Sequence, residues 1–507
     1  MACCGRHGKV TFVAFFACVG AFLFGLDMGY VGDILSDPSF KRDVAHMDNW
    51  ESYDSEIASA ASGFIVGSFA LGCIVTSFPT ISSAFLDRLG RKVSIMVGAV
   101  VYAMGTTIQA AASSMSVFVI GRLVSGFSIG ILSTVVPLYQ SEIAPPELRG
   151  NLTSLFQWMI IAGVVIAALL NQLLLPIAEG WRIAIGLQTI PALLLFCGMI
   201  PLPRSPRWLV QQHRPEEAMR AMQKYLPQEE VESEFQEIVR SFEEEEKMGQ
   251  ASWSEIFTGR GSRLLVVGMA IQLLQQLQGI NAIVIYGPRI FKAIDMLEPN
   301  TSQTITNLVL LLGTTPAPFL MDRLGRRKLL AWSAALQGLP SLVIGIAGLT
   351  SMVREGDNWR TTNEVAGYAT AIAVLIYVFN FGYGWGPTVW VYCGEMFPLK
   401  VRSRCVGLTT MSNWIGVYIV GQMTPILLAN LGFGAFLLFS ACSVLSFALA
   451  LWLPETKGVV LERVDELFDQ KLGVRGQGRR AVEKKALDSE DLSNVSTEAN
   501  SAVGMSA

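Results

Sequence analysis

Twelve apolar stretches, each close to the length of a bilayer-crossing helix, dominate this 507-residue chain. A spanning helix needs about 20 apolar residues. Such stretches run over 10–32, 57–80, 93–112, 116–140, 152–176 and 182–201, then over 263–290, 302–321, 329–350, 366–393, 404–430 and 432–453. We number them spans 1–12. Charged residues make up 16% of the chain, against about 25% in an ordinary soluble protein. That deficit excludes a string of soluble domains, and a net charge of -3 speaks against nucleic acid as a partner. The expected fold is an all-α membrane protein in the lipid bilayer. It comprises a six-helix bundle over 1–201, a helical cytosolic linker over 202–262, a second six-helix bundle over 263–453 and a largely disordered cytosolic tail over 454–507.

Span 1 follows Arg6 and Lys9 as a secretory signal would, but it continues through Gly25-Leu26-Asp27-Met28-Gly29 without a small-residue cleavage site. We therefore read it as a retained helix. Placing the N-terminus in the cytosol puts 30 of the 38 Lys and Arg on inner segments. Seven fall on outer segments: Lys41, Arg42, Arg182, Arg289, Lys292, Arg354 and Arg360. Both termini are expected to be cytosolic. The eight cysteines form no CxxC pair and the three histidines are scattered, so neither a metal nor a cofactor is expected. No phosphate-binding GxxxxGK[ST] motif is present, and nothing points to an enzyme.

The two halves repeat one another. Tyr139, Glu142, Pro145 and Arg149 recur as Tyr392, Glu395, Pro398 and Arg402. Asp87-Arg88-Leu89-Gly90-Arg91-Lys92 recurs as Asp322-Arg323-Leu324-Gly325-Arg326-Arg327. Parallel repeats imply a site near mid-membrane, worked by rocking one half against the other. Glutamates at matched inner ends, within reach of loop arginines, read as a latch that forms when the inner ends of the bundles close. Positive-inside anchoring alone explains the arginines but not the glutamates.

These motifs resemble the sugar porter branch of the major facilitator superfamily over about 10–462. They include Gly25-Leu26-Asp27, Gly121-Arg122, Pro137 to Glu142, Gly180-Trp181-Arg182, Pro203 to Leu209, Gln275 to Asn281, Gly386-Pro387 with Trp390, and Pro454 to Gly458. Departures occur at Arg204, Leu310 and Val417, where that family usually carries Glu, Asn and Asn. The resemblance implies sugar contacts from Gln157, Gln275, Gln276, Asn281, Trp390 and Asn413, with Phe24 at the border. It implies an inner gate built from Arg91, Glu142, Arg149, Arg207, Arg326, Glu395, Arg402 and Glu455. Amides that donate and accept, beside aromatic faces, suit a neutral polyhydroxyl ligand. Gly279, Gly287 and Pro288 are expected to break span 7 beside that ligand.

Asp27 and Arg122 are the two ionisable groups well inside spans, where each costs about 2.5–3.5 kcal/mol on insertion scales. The resemblance pairs them as a proton switch. The expected function is proton-coupled monosaccharide import across the plasma membrane, with hexose ahead of pentose. A facilitative sugar or polyol carrier stays open, and behind it a non-transporting sugar sensor.

Overall fold

A computed structural model describes residues 8–35, 37–45, 55–248, 253–294, 298–355, 358–397, 401–457 and 468. The tail from 458 onward, Phe468 excepted, lies outside the described residues, and the expectation of disorder there with it. Helices occupy all twelve apolar stretches. Span 1 comprises Gly8–Ala17 and Val19–Ile34, followed by a short outer helix, Pro38–Ala45. Spans 2 to 5 are Ser55–Ser77, Gly90–Ala110, Met115–Ile143 and Pro146–Leu174, and span 6 is Gly180–Leu187 with Thr189–Met199. Spans 7 and 8 are Gly259–Leu277 with Ile280–Ile294, and Pro299–Thr314 with Ala317–Leu324. Spans 9 and 10 are Arg326–Ser351, and Glu364–Tyr383 with Trp385–Glu395; Arg402–Leu431 and Phe436–Trp452 are spans 11 and 12. We call the face bearing the Arg-rich loops inner.

Where spans 2 and 4, and spans 8 and 10, cross one another, packing depends on the smallest residue. Helices in lipid gain little from apolar contact with one another and associate through close backbone approach. Spans 2 and 4 meet at Gly72 and Gly126, where a Cβ on Gly126 would sit 2.1 Å from the Phe69 carbonyl oxygen. Spans 8 and 10, their counterparts in the repeat, meet at Gly313 and Gly382, where a Cβ on Gly313 would sit 2.3 Å from the Phe379 carbonyl oxygen. Overpacking of this kind costs about 1–3 kcal/mol. We expect Gly126→Ala to lower the thermal midpoint in detergent. Gly186→Ala, whose Cβ meets nothing closer than 3.9 Å, should leave it unchanged.

The break in span 7 falls at Gln278–Gly279 alone. Gly279 has φ +98°, a left-handed conformation that favours glycine. Contrary to expectation, Gly287 and Pro288 do not interrupt the helix, which runs unbroken over Ile280–Ile294. Pro288 has no N–H for the carbonyl four residues back, that of Val284. Gln303 of span 8 supplies the missing donor, its Nε2 lying 3.2 Å from the Val284 oxygen. Arg289 and Lys292 consequently ride on the last turns of span 7 rather than in a loop.

The segment 202–262 contains the helices Pro206–Gln211, Pro215–Gln223, Gln228–Met248 and Trp253–Phe257. Ala218, Ala221, Met222, Val231 and Phe235 turn their buried faces inward. One feature departs from an all-helical chain. Strands β1 (Met352–Glu355) and β2 (Asn358–Thr361) form an antiparallel hairpin between spans 9 and 10.

Candidate functional site

Spans 1 and 4 bring Asp27 and Arg122 together. Arg122 Nη1 lies 2.6 Å from Asp27 Oδ2, with the side chains 1% and 0% exposed. A charge-assisted bond at that separation is strong, and burial makes it stronger. The pair does not stand alone. Arg122 Nη1 also donates to Tyr30 Oη at 3.3 Å. Tyr30 Oη in turn donates to Gln109 Oε1 at 2.6 Å, and Gln109 Nε2 to Ser125 Oγ at 2.7 Å. The guanidinium lies 4.7 Å over the Phe69 ring of span 2.

A second constellation gathers amides from spans 7 and 11. Asn413 is its hub. Its Nδ2 donates to Gln275 Oε1 at 2.6 Å and Gln272 Oε1 at 2.7 Å, while its Oδ1 accepts from Gln276 Nε2 at 3.0 Å. Asn281 Nδ2, just past the Gly279 break, donates to Gln276 Oε1 at 2.7 Å. Gln275 Nε2 bonds the carbonyls of Trp385 and Gly386 in span 10, at 2.8 and 2.9 Å. All of these amides are buried, so they satisfy one another.

Beside Asn413, the Trp414 ring reaches across to the first half of the chain. It lies 5.1 Å from the Phe24 ring and 6.0 Å from that of Phe69. Phe24 stands three residues before Asp27, about one turn along span 1, and Phe69 carries the Arg122 guanidinium on its face. Ring contacts therefore run from the Arg122 guanidinium through Phe69 to Trp414, the residue after Asn413, with Phe24 against the same indole. Trp414 Nε1 is buried without a hydrogen-bond partner.

The inner face holds the third constellation, present twice. In the first half Arg91 Nη2 meets Glu142 Oε1 at 2.7 Å, Ser205 donates to Glu142 Oε2, and Tyr139 Oη donates to the Pro203 carbonyl at 2.7 Å. In the second half Arg326 Nη2 meets Glu395 Oε1 at 3.0 Å, and Thr456 donates to Glu395 Oε2 at 2.7 Å. Tyr392 Oη donates to the Pro454 carbonyl at 2.9 Å. Glu455 additionally accepts from the backbone N–H groups of Arg326 and Arg327. Each glutamate pairs with the arginine of its own half, so these bonds brace the halves internally; they do not join one half to the other. The expected latch between bundles is corrected to that extent. Independent braces should be additive. Thermal losses from Glu142→Ala and Glu395→Ala should sum in the double variant, within about 0.5 kcal/mol.

Residues 13–468 match the family model described as "Sugar (and other) transporter". The chain is 31% identical over 463 residues to the hexose transporter HXT10 of Saccharomyces cerevisiae, covering 89% of this chain and 84% of that one. It belongs to the sugar transporter family. The high-affinity glucose transporter ght5 of Schizosaccharomyces pombe is 30% identical, over 92% of this chain and 85% of its own. Among solved structures, that of the major facilitator proton:xylose symporter XylE bound to 6-bromo-6-deoxy-D-glucose aligns with TM-score 0.77 and 25% identity, covering 91% of this chain and 99% of that one. The fold is the twelve-helix major facilitator fold, and the chain is a membrane transporter, not an enzyme.

Not every residue singled out in this transporter's sequence joins a cluster. Gln157 and Trp390 are partly exposed and hydrogen-bond to none of the amides. Arg402 donates to the Phe397 carbonyl at 3.0 Å, and Arg207 is partly exposed on the inner face. The side chain of Arg149 lies outside the described residues. Among the described residues, no group of three or more His, Cys, Asp and Glu side chains could hold a metal. Sequence reasoning missed Tyr30, Gln109 and Phe69 around the ion pair, and Ser205 and Thr456 on the glutamates. A signal for the last two was present: Pro203-Arg204-Ser205 and Pro454-Glu455-Thr456 repeat a Pro-x-hydroxyl pattern at the inner exits of spans 6 and 12.

Proposed function

We propose that this transporter imports a monosaccharide, a hexose ahead of a pentose, together with a proton across the plasma membrane, with both termini in the cytosol. The observation that supports the reading is the ring contact between Phe24, about one turn before Asp27, and Trp414, the residue after Asn413. Ionised Asp27 is held by Arg122. Protonation removes the charge that Arg122 grips, and span 1 is freed to shift, moving Phe24 relative to Trp414 beside Asn413.

Gln157, Gln275, Gln276, Asn281, Trp390 and Asn413 are the sugar-contacting set, with Phe24 at its border. Sugar hydroxyls exchange for amide–amide bonds at little net cost, because both alternatives are satisfied. The spare N–H of Trp414 adds a donor. The two six-span halves rock about this site, and the braces around Glu142 and Glu395 keep each inner end rigid while they do so. The gating arginines Arg149, Arg207 and Arg402 act at the same face.

The test is the direction of proton movement. Adding a hexose to de-energised cells expressing the protein should lower internal pH in step with sugar entry. Sugar entry without acidification would assign a facilitative carrier instead.

A further inference from the structure

Asp33 lies on the outer end of span 1, six residues beyond Asp27, and is 4% exposed. Its hydrogen-bond partner is Asn171 of span 5. Asn171 Nδ2 donates to Asp33 Oδ2 at 2.8 Å and to the Tyr30 carbonyl at 3.2 Å. The other end of that amide, Asn171 Oδ1, is buried with no donor among the described residues.

The charged and titratable groups on the elements around the outer half of span 1 are engaged elsewhere. On span 4, Arg122 holds Asp27. On span 6, Arg182 donates to the carbonyls of Ala110 and Ala112. On span 7, Tyr286 donates to the Gly421 carbonyl and Arg289 to Ser62 Oγ. Beyond span 1, Asp37 accepts from Ser39 and from the Phe40 N–H, and Arg42 pairs with Asp43. Lys41 neighbours Arg289 and Lys292; burial, with those two cations, brings it down to about 8. Among the described residues no cation stands within ion-pair distance of Asp33.

An ionised carboxylate in such surroundings is uncompensated. A neutral carboxyl group answers both anomalies at once. Its O–H supplies the donor that Asn171 Oδ1 lacks, while Asn171 Nδ2 returns a second bond, the two-point pairing of an acid with an amide. At the adjacent residue, Gly32, spans 1 and 7 approach closely near the outer face: a Cβ there would lie 2.0 Å from the Ile285 carbonyl oxygen.

We propose that Asp33 is a second proton-binding site, filled as the outer mouth closes and emptied to the outside as it opens. The inference rests on the alternating-access reading, but its proton is not cargo, since it enters and leaves on one face. In the open state water reaches the Asp33 carboxyl and the ionised form is hydrated. The closed state binds the proton more tightly, so acid outside favours closure.

Labelling of an Ile285→Cys variant of the full-length protein by an impermeant maleimide tests this in proteoliposomes without sugar. Internal pH is held fixed, and rates are normalised to the same variant unfolded in detergent. Labelling should be at least about threefold slower at external pH near 5 than near 7, a window in which Lys41 stays charged. Adding Asp33→Asn should make it slow at both pH values, and Asp33→Glu should restore the difference. A pH difference that persists in Asp33→Asn would overturn the proposal. Should Asp33→Asn fail to fold, Asp33→Leu serves, and a pH difference that persists there would overturn it equally. No sugar enters the assay, so failure of the transport reading would be seen separately.

Discussion

Replacing Asp27 with Asn ends uphill sugar accumulation and leaves sugar exchange intact. Asparagine imitates the neutral acid in size and shape, so the helix position is kept while the charge is lost. The cost falls on Arg122, whose carboxylate partner at 2.6 Å disappears. Breaking a buried pair on one side destabilises by about 3–5 kcal/mol. Tyr30 and the Phe69 face remain to hold the guanidinium, so part of that loss is offset. Radiolabelled hexose counterflow, which needs no driving force, reports whether the protein is still folded and able to alternate. Accumulation against a gradient reports the coupling. We expect the first to persist and the second to collapse to equilibration.

The second large effect is expected at the hub of the amide cluster. Asn413→Ala strips partners from Gln272, Gln275 and Gln276 together. Each buried polar group left unsatisfied costs about 1–3 kcal/mol. For a ligand that must be held by the same groups, a loss of that size corresponds to roughly 10- to 100-fold in affinity. The KM for hexose exchange should rise accordingly. The accumulation ratio at saturating sugar should change little, because Asp27 and Arg122 are untouched. A variant that lost coupling while keeping its KM would place the sugar elsewhere.

The architecture was legible because membrane insertion writes it in residue types: apolar runs of fixed length, arginines at one face, and a duplicated Asp-Arg-Leu-Gly-Arg motif. The neighbourhood of Asp27 was not. Tyr30 and Gln109 sit in apolar runs where an amphipathic pattern is weak, since lipid-facing and buried residues are alike hydrophobic. Only the packed structure shows which face each presents. Phe69 reads as one more core aromatic until its ring is found between Arg122 and Trp414.

The repeat is visible in the sequence; the partners of its charged residues are not. Matched glutamates and arginines suggested bonds between the halves, and the structure pairs them within each half. Sequence equivalence indicates that two residues do the same work; it does not say with which copy. Pro288 carries a similar lesson. A proline predicts a broken helix from local chemistry, but Gln303, donated by the neighbouring span, satisfies the Val284 carbonyl, and the helix runs through. The hairpin of β1 and β2 is four residues a side, too short for its alternation to stand out.

Proton-coupled import through Asp27 is the central claim, and accumulation in proteoliposomes tests it most directly. With the membrane potential clamped at zero and the outside one pH unit more acid, one proton per sugar supports about tenfold internal accumulation of hexose. A ratio near ten that a protonophore abolishes is the result this account predicts. A ratio of one, reached as fast with the gradient as without it, would contradict it.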